Sequence, residues 1–559
     1  MLYPQTNKHR TVLSLNGLWK FQLVSSDFIP KQPLKSFDWI GVPASYNDLF
    51  TERKYVDHVG LVCYEREITF PQTSAGDRWT LRIGAAGNRA SVYLDGILQT
   101  KHNGGFLPID CPLQESSGTH RLSIVLDNRL DYETLPVGEY QNGTQVIHYD
   151  FRNFTGLHRD VLLYRKPKTS IEDIVITTSV KEDVATVQYT VTCKEVCDVV
   201  IQNPKGLVVG VATGNTGEIE ITKPMLWDIG QGHLYTLTAT TKQDQYTESF
   251  GIRSIEVTKD AFLLNGKPVH FRGFGMHEDH DIVGKGSFSA LNVREFELLK
   301  WTGANSFRTS HYPYAEEMYE LADKLGILII NEIPAVGLNF WSSRTVFQAG
   351  VLDHRLQDVY KTQFDELIAR DKNHPSIVMY SLANEANTHE AGALEFFSEL
   401  FAHARTKTTL PLMIVEWVGA KDNKVAPLAD VIGLNRYLGW YVDFANLSNV
   451  KQNLTTTFQE YRDKYNKPLF LTEFGADTIA GLHKLPSVAF SEEFQVEFIS
   501  TYLDTISELD YVIGEHVWNL ADFDTKQGLT RVDGNKKGVF TRQRQPKMVA
   551  HFLRQYWKR

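Results

Sequence analysis

NVREFELLKWTGANSFRTSHYPYAEEMYELADKLGILIINE, residues 292–332, carries the pattern on which the architecture of this chain turns. NVREFELLKWTG and AEEMYELADKLG read as amphipathic helices, whereas NSFRTS and ILIINE are short runs of strand character. Helix, strand, helix and strand in immediate succession form the alternation of a parallel sheet with helical crossovers.

Outward from this stretch the alternation continues from about residue 257 to the end of the chain. Candidate strands are FRGFG (271–275), NSFRTS (305–310), ILIINE (327–332), IVMYSLANE (377–385), LMIVE (412–416), VIGLNRY (431–437), LFLTEFG (469–475) and VIGEHVW (512–518). Eight strands alternating with helices predict a (β/α)8 TIM barrel over 257–559. Before it, segments such as WKFQLV, RWTLRIG and HRLSIVLDN are short, alternate, and are broken by Gly, Asn, Asp and Pro, which predicts a β-sandwich over 1–165. The shorter strands of 166–256 suit an immunoglobulin-like β-sandwich.

A chain of 559 residues accommodates these three units, and 42% hydrophobic with 22% charged residues is the balance of a globular protein rather than a disordered one. A net charge of -9 gives no footprint for nucleic acid. No segment reads as a signal peptide or membrane span, so the expectation is a cytoplasmic protein without a membrane partner. The four cysteines are too sparse for a disulfide framework and lack metal-ligand spacing, so free structural thiols are expected.

In a barrel of this kind catalytic groups collect where strands end. The strand ends here carry His277 and Glu278, Arg308 and His311, Glu332, Asn384 and Glu385, Glu416, Asn435 and Tyr437, Glu473, and Trp518 and Asn519. Glu385 and Glu473 end strands four and seven, on opposite sides of the mouth, and suit the cleavage of a glycosidic bond. One protonated carboxyl gives its proton to the leaving oxygen while the other, ionised, attacks the anomeric carbon; a separation of about 5–5.5 Å gives retention. Arg308 is placed to keep Glu473 ionised. HEDHD (277–281) has metal-ligand residue types, yet consecutive residues seldom converge on one ion, and structural or hydrogen-bonding roles are expected there. No metal or cofactor is expected, and Ser310 lacks the relay of a hydrolase nucleophile.

TSHYPY (309–314), SLANE (381–385), LNRYLGWY (434–441), LTEFG (471–475) and GEHVWNLADF (514–523) resemble glycoside hydrolase family 2, specifically its bacterial β-glucuronidases. The likeness extends from SLNGLWKF (14–21) through DFRNFTGLHR (150–159) to GNKKGVFTRQRQPK (534–547). It implies a jelly-roll-like first domain, Glu385 as acid/base, Glu473 as nucleophile and Tyr437 as the tyrosine supporting it. It further implies that Asn384 binds the sugar 2-hydroxyl and that Asp150, His311 and Trp518 contact other hydroxyls. Asn535 and Lys537 match an Asn-x-Lys element that binds a C6 carboxylate, with Arg531 and Tyr441 beside it, so a glucuronide is the expected small-molecule or oligosaccharide substrate. Without a C6 charge, Lys537 is expected to be poorly paired. The segment 334–360 is shorter than the active-site loop of better-known members, which points to larger aglycones. A homo-oligomer, often a tetramer, is the family's habit. A β-galacturonidase or dual uronidase, and a catalytically silent carbohydrate-binding protein, are the competing readings.

Overall fold

The computed structural model describes residues 1–71, 77–113 and 117–558. The first sandwich sets a six-stranded sheet, with Leu61–Phe70 and Gly118–Asp127 at its centre, against a four-stranded one that includes Arg78–Ile83 and Val161–Lys166. Strand Gly17–Val24 shows why: Trp19 and Phe21 point inward with alternating neighbours outward, and they join Trp79, Leu81 and Ile124 in one apolar core. The second unit packs a three-stranded sheet on a four-stranded one around Ile174, Val187, Tyr235 and Phe250. The first ten residues run between this second unit and the barrel. The amino group of Met1 donates to the Ala369 carbonyl (2.6 Å), and Arg10 forms a buried pair with Asp244 (2.6 Å).

The third unit is a closed barrel of eight parallel strands: Phe271–Gly275, Ser306–Arg308, Leu328–Glu332, Ile377–Asn384, Leu412–Glu416, Val431–Asn435, Leu469–Glu473 and Val512–Val517. Closure is made by pairing of the first with the eighth, Phe271 opposite Gly514. Within 292–332 the helices Ser289–Thr302 and Glu316–Leu325 stop at Gly303 and Gly326, whose φ angles of 92° and 67° suit glycine and whose N–H groups cap Leu299 and Ala322. One expectation is corrected. Strands five and six are joined only by the short 3-10 turn Ala426–Leu428, so alternation with α-helices fails there. The intervening VGAKDNKVAP lacks the apolar periodicity of a helix.

The bottom of the barrel is closed by a small antiparallel sheet, Ile255–Val257, Phe262–Leu264 and Lys267–Val269, with Trp227, Phe262, Phe271 and Phe470 buried beneath the strands. Ile255–Val257, at the expected boundary, therefore pairs with the barrel's floor. All four cysteines are free. Among the described residues no helix is long and apolar enough to cross a membrane.

What positions the site is the docking of the first sandwich on the barrel. Arg159 reaches Glu278 (2.9 Å) and the carbonyls of Phe106 and Pro313. Arg82 holds Glu316 through two hydrogen bonds of 2.7 and 2.8 Å and Asp110 at 3.0 Å, with 1% of its side chain exposed. These contacts bring the hairpin Gly138–Gln141/Thr144–Ile147 and the segment that follows it to the barrel mouth. Arg82→Met leaves Glu316 buried without its cation, a change that costs about 3–5 kcal/mol. Calorimetry should show a clearly lowered unfolding transition; an unchanged one would remove this ion pair from the docking.

Candidate active site

Arg308 ends the second strand with no exposed side-chain surface, and a guanidinium there must be met by anions. Its Nη1 donates to both oxygens of Glu332 (2.9 and 2.7 Å), and its Nη2 donates to Glu473. Glu332 is further held by His311 Nδ1 (2.7 Å) and Ser381 Oγ (2.6 Å). Burial pushes the Glu332 pKa up, but Arg308, His311 and Ser381 outweigh it and the net direction is down. It is a fixed negative charge.

Glu473 ends strand seven. Besides Arg308 it accepts from the Tyr437 hydroxyl at 2.9 Å, and His311 Nε2 lies 3.9 Å away. Tyr437 has its pKa raised well above the usual tyrosine value, first by burial and then by Glu473, so it remains a donor. Glu385 follows strand four directly, in the left-handed region at φ 53°, with its N–H bound to the Val415 carbonyl. Its carboxylate accepts from Asn435 Nδ2 (2.8 Å), whose Oδ1 is held in turn by Thr472 (2.8 Å).

Burial is the main cause of a raised pKa in both Glu385 and Glu473. What distinguishes them is the opposing partner. Glu473 meets the Arg308 cation in direct contact and a tyrosine hydroxyl, whereas Glu385 meets a neutral amide and only more distant cations. Two such interacting carboxyls resist ionising together, and the environment of Glu385 favours the proton.

A second cluster stands across the mouth. Arg531 binds Asp150 through contacts of 3.0, 3.0 and 2.7 Å, and Asn535 Nδ2 donates to the same carboxylate at 2.9 Å. Arg531 Nη2 and Lys537 Nζ converge on the Tyr441 hydroxyl, at 2.6 and 2.8 Å. The loop that carries them is a turn folded tightly back on the chain. A Cβ at Gly534 would lie 2.4 Å from the Phe523 carbonyl oxygen, and one at Gly538 would lie 2.1 Å from the Asp522 nitrogen. Asn535 Oδ1 accepts from the Lys537 N–H (3.0 Å), so the side chain of one residue fixes the backbone of the other.

Both clusters open on one cavity of about 750 Å³. Glu385, Glu473, Tyr437, Asp150, His311, Asn384, Tyr441, Trp518, Arg531 and Asn535 all line it. Lys537 is brought to the same place but lies behind Tyr441, with 1% exposure and its ammonium 4.7 Å from that ring. The expectation that Lys537 is poorly paired is corrected: Asp477 pairs with it from below, and Asp477 Oδ1 also accepts from the Lys536 N–H (2.8 Å). Lys536 itself points away to Asp533 (2.9 Å).

Asp477, four residues past Glu473 in LTEFGAD, escaped the sequence reading although its spacing was the available signal. So did an aromatic wall beside Glu385. The short 334–360 segment delivers Phe340 and Trp341 to the cavity, and Trp417, directly after strand five, lies 5.6 Å from Trp341. Arg344 and His148 pack on Phe340, so the first domain's hairpin region supports this wall. Glu416 does not line the cavity. Burial lifts its pKa to about 7 and it accepts from Thr388 (2.7 Å). In HEDHD, Glu278 binds Arg159 and Asp279 binds Arg542.

Comparison with known proteins follows the same outline. Residues 255–559 match the TIM barrel domain of glycosyl hydrolases family 2, and residues 169–253 match a second domain of that family. A β-glucuronidase of Paenibacillus borealis is 41% identical over 586 aligned positions, covering 100% of this chain and 98% of its own. The solved β-glucuronidase of an uncultured Clostridium sp. superposes with a TM-score of 0.97 at 42% identity, covering 100% of this chain and 99% of its own. The Ruminococcus gnavus β-glucuronidase in complex with D-glucuronic acid superposes with a TM-score of 0.94 at 36% identity, with coverage of 100% and 99%.

The electrostatics of the glutamate pair can be checked directly. Because Glu385 keeps the proton while Glu473 is ionised, Glu473→Gln removes the negative charge beside Glu385 and the Glu385 pKa falls. Titration of carboxyl-labelled glutamate by NMR should show that downward shift; an unchanged pKa would mean the two groups do not interact.

Proposed function

This chain belongs to glycosyl hydrolases family 2, and on that premise we propose that it is a retaining exo-β-glucuronidase, releasing D-glucuronate from β-D-glucuronides. The observation that carries the sugar assignment is the convergence of Arg531 and Lys537 on the Tyr441 hydroxyl, with Asn535 alongside, at the edge of the cavity that holds Glu385 and Glu473. Two cations aimed at one oxygen position suit a carboxylate, and a hydroxymethyl group offers nothing to match them. A site built for charged hydrogen bonds rejects a neutral analogue strongly.

In the first step the Glu473 carboxylate attacks C1, the bond from C1 to the leaving oxygen breaks, and the Glu385 proton passes to that oxygen. Arg308 and Tyr437 hold the attacking carboxylate in ionised form and in place. Esterification then removes the Glu473 charge, which lowers the proton affinity of Glu385. Glu385, now a carboxylate, takes a proton from water; the oxygen attacks C1 and Glu473 departs as carboxylate, with net retention.

Asn384 Oδ1 already accepts from Asn435 (3.2 Å) and Arg308 (3.4 Å), so its Nδ2 is the end offered to the sugar 2-hydroxyl. A hydrogen bond there strengthens as positive charge builds at C1. His311 and Trp518, stacked at 5.2 Å, form a wall for the ring's other hydroxyls. Because Glu385 protonates the leaving oxygen, Phe340, Trp341 and Trp417 stand on the aglycone side, and their flat faces suit ring-shaped aglycones, aromatic or sugar.

Glu473→Ala should retain the fold by circular dichroism and lose detectable hydrolysis of p-nitrophenyl β-D-glucuronide; activity near wild type would overturn the assignment. Lys537→Ala should cut kcat/KM for the same substrate by roughly 10- to 100-fold, the loss of one or more charged hydrogen bonds. The glucoside, lacking the carboxylate, should change far less between the two enzymes. Equal losses on both substrates would return Lys537 to a structural role.

A further inference from the structure

On the opposite side of the barrel from the cleft, the middle sandwich and the barrel's lower rim leave a groove of about 560 Å³. One wall is the edge-strand segment 175–180 and the other is 405–410, where helix Ala391–Lys407 turns toward strand five. The residues lining it include Arg253, Lys372, His374, Arg405 and Lys407, and no Asp or Glu is among them. In a chain whose net charge is -9, that concentration of cations is a local inversion.

Four of these cations are already matched from outside the groove. Lys372 pairs with Asp173 (2.9 Å), His374 with Asp323 (2.6 Å), Arg405 with Asp430 (2.6 Å) and Lys407 with Asp365 (2.9 Å). Arg253 is different. Its one hydrogen bond runs from Nη2 to the Ile377 carbonyl (2.6 Å), its Nε is buried without an acceptor, and no carboxylate pairs with it among the described residues. Burial pulls its pKa down to about 10 against the attraction of the Asp323 carboxylate, so it stays a cation at neutral pH with no direct ion pair of its own. The buried arginines Arg82, Arg159 and Arg308 each face carboxylates, whereas buried Arg436 is met by three backbone carbonyls.

Hydroxyl groups accompany the charge. Thr177, Thr178 and Ser179 lie on one wall and Thr406, Thr408 and Thr409 on the other, with the Tyr380 ring among the lining groups. We propose that this groove is a second ligand site, separate from the active site, for a small polyhydroxylated molecule bearing one oxoanion, with Arg253 as its counter-ion. Hydroxyls on both walls suit a sugar's hydroxyls. The volume suits one or two sugar rings. A sugar acid and a sugar phosphate present the same chemistry to Arg253.

Calorimetric titration of the whole enzyme with glucose 6-phosphate, D-glucuronate and glucose tests this. A saturable binding component that survives in the Lys537→Ala enzyme is expected for at least one of the two anions and missing for glucose, and which anion gives it identifies carboxylate or phosphate. Arg253→Gln should weaken that component at least tenfold while p-nitrophenyl glucuronide hydrolysis is unchanged. Arg253→Lys, which keeps the charge, should fall between. Lys537→Ala should leave the component intact, which separates it from anything bound in the catalytic cavity. Should Arg253→Gln fail to fold, Lys407→Glu on the opposite wall reads out the same site, with an expected several-fold loss. Absence of the component in the wild type, or its persistence in the Arg253→Gln or Lys407→Glu enzyme, overturns the proposal.

Discussion

Arg308 is the interaction on which the catalytic face depends. A guanidinium with no solvent exposure is tolerable only between anions, and it lies between Glu332 and Glu473. Glu332 alone would satisfy its charge. The second contact therefore bears on Glu473, supplying a buried carboxyl with a fixed cation against the desolvation that raises its pKa. Removing Arg308 would favour the protonated, non-nucleophilic form of Glu473 and leave Glu332 buried without its cation. His311 and Ser381 complete the arrangement by occupying the remaining acceptor sites of Glu332, which fixes the group that fixes Arg308.

The site cannot be built from the barrel alone. Asp150 comes from the first sandwich, Arg531, Asn535 and Lys537 from the loop beyond strand eight, and Tyr441 from the segment after strand six. Their meeting point is held by Arg159 and Arg82 at the docking surface and by glycine-permitted close approach at Gly534 and Gly538. The docking of the sandwich thus shapes the cavity as well as contributing to stability.

Strand positions and the glutamate pair were readable from the sequence because both are local signals: apolar runs at barrel spacing and polar residues just past them. The family likeness added Asp150, Lys537 and Tyr441, which no period could connect, being separated by roughly a hundred to four hundred residues. What stayed hidden was of two kinds. The missing helix between strands five and six was concealed by the regularity of its neighbours. Asp477, Phe340, Trp341 and Trp417 were concealed because their roles arise only when separate loops meet; Asp477 acts on Lys537, sixty residues away, and Trp341 meets Trp417 across two loops.

Asp477 and Asp150 also show how one cluster can be both rigid and receptive. Arg531 and Lys537 are balanced by these two carboxylates, yet the side chain of Asp477 is 4% exposed and that of Asp150 is 43% exposed. A buried partner that accepts both an ammonium and a backbone N–H is costly to displace, so Asp477 keeps Lys537 aimed. With its acidic partner half-exposed, the Arg531–Asp150 pair contributes less, so in the proposed function Asp150 would be the partner that yields Arg531 and Asn535 to an incoming carboxylate. In that reading the same aspartate would then accept from the sugar's hydroxyls. Preorganisation resides in the buried carboxylate and exchange in the exposed one, the division that the proposed binding of an anion by a charge-balanced cluster requires.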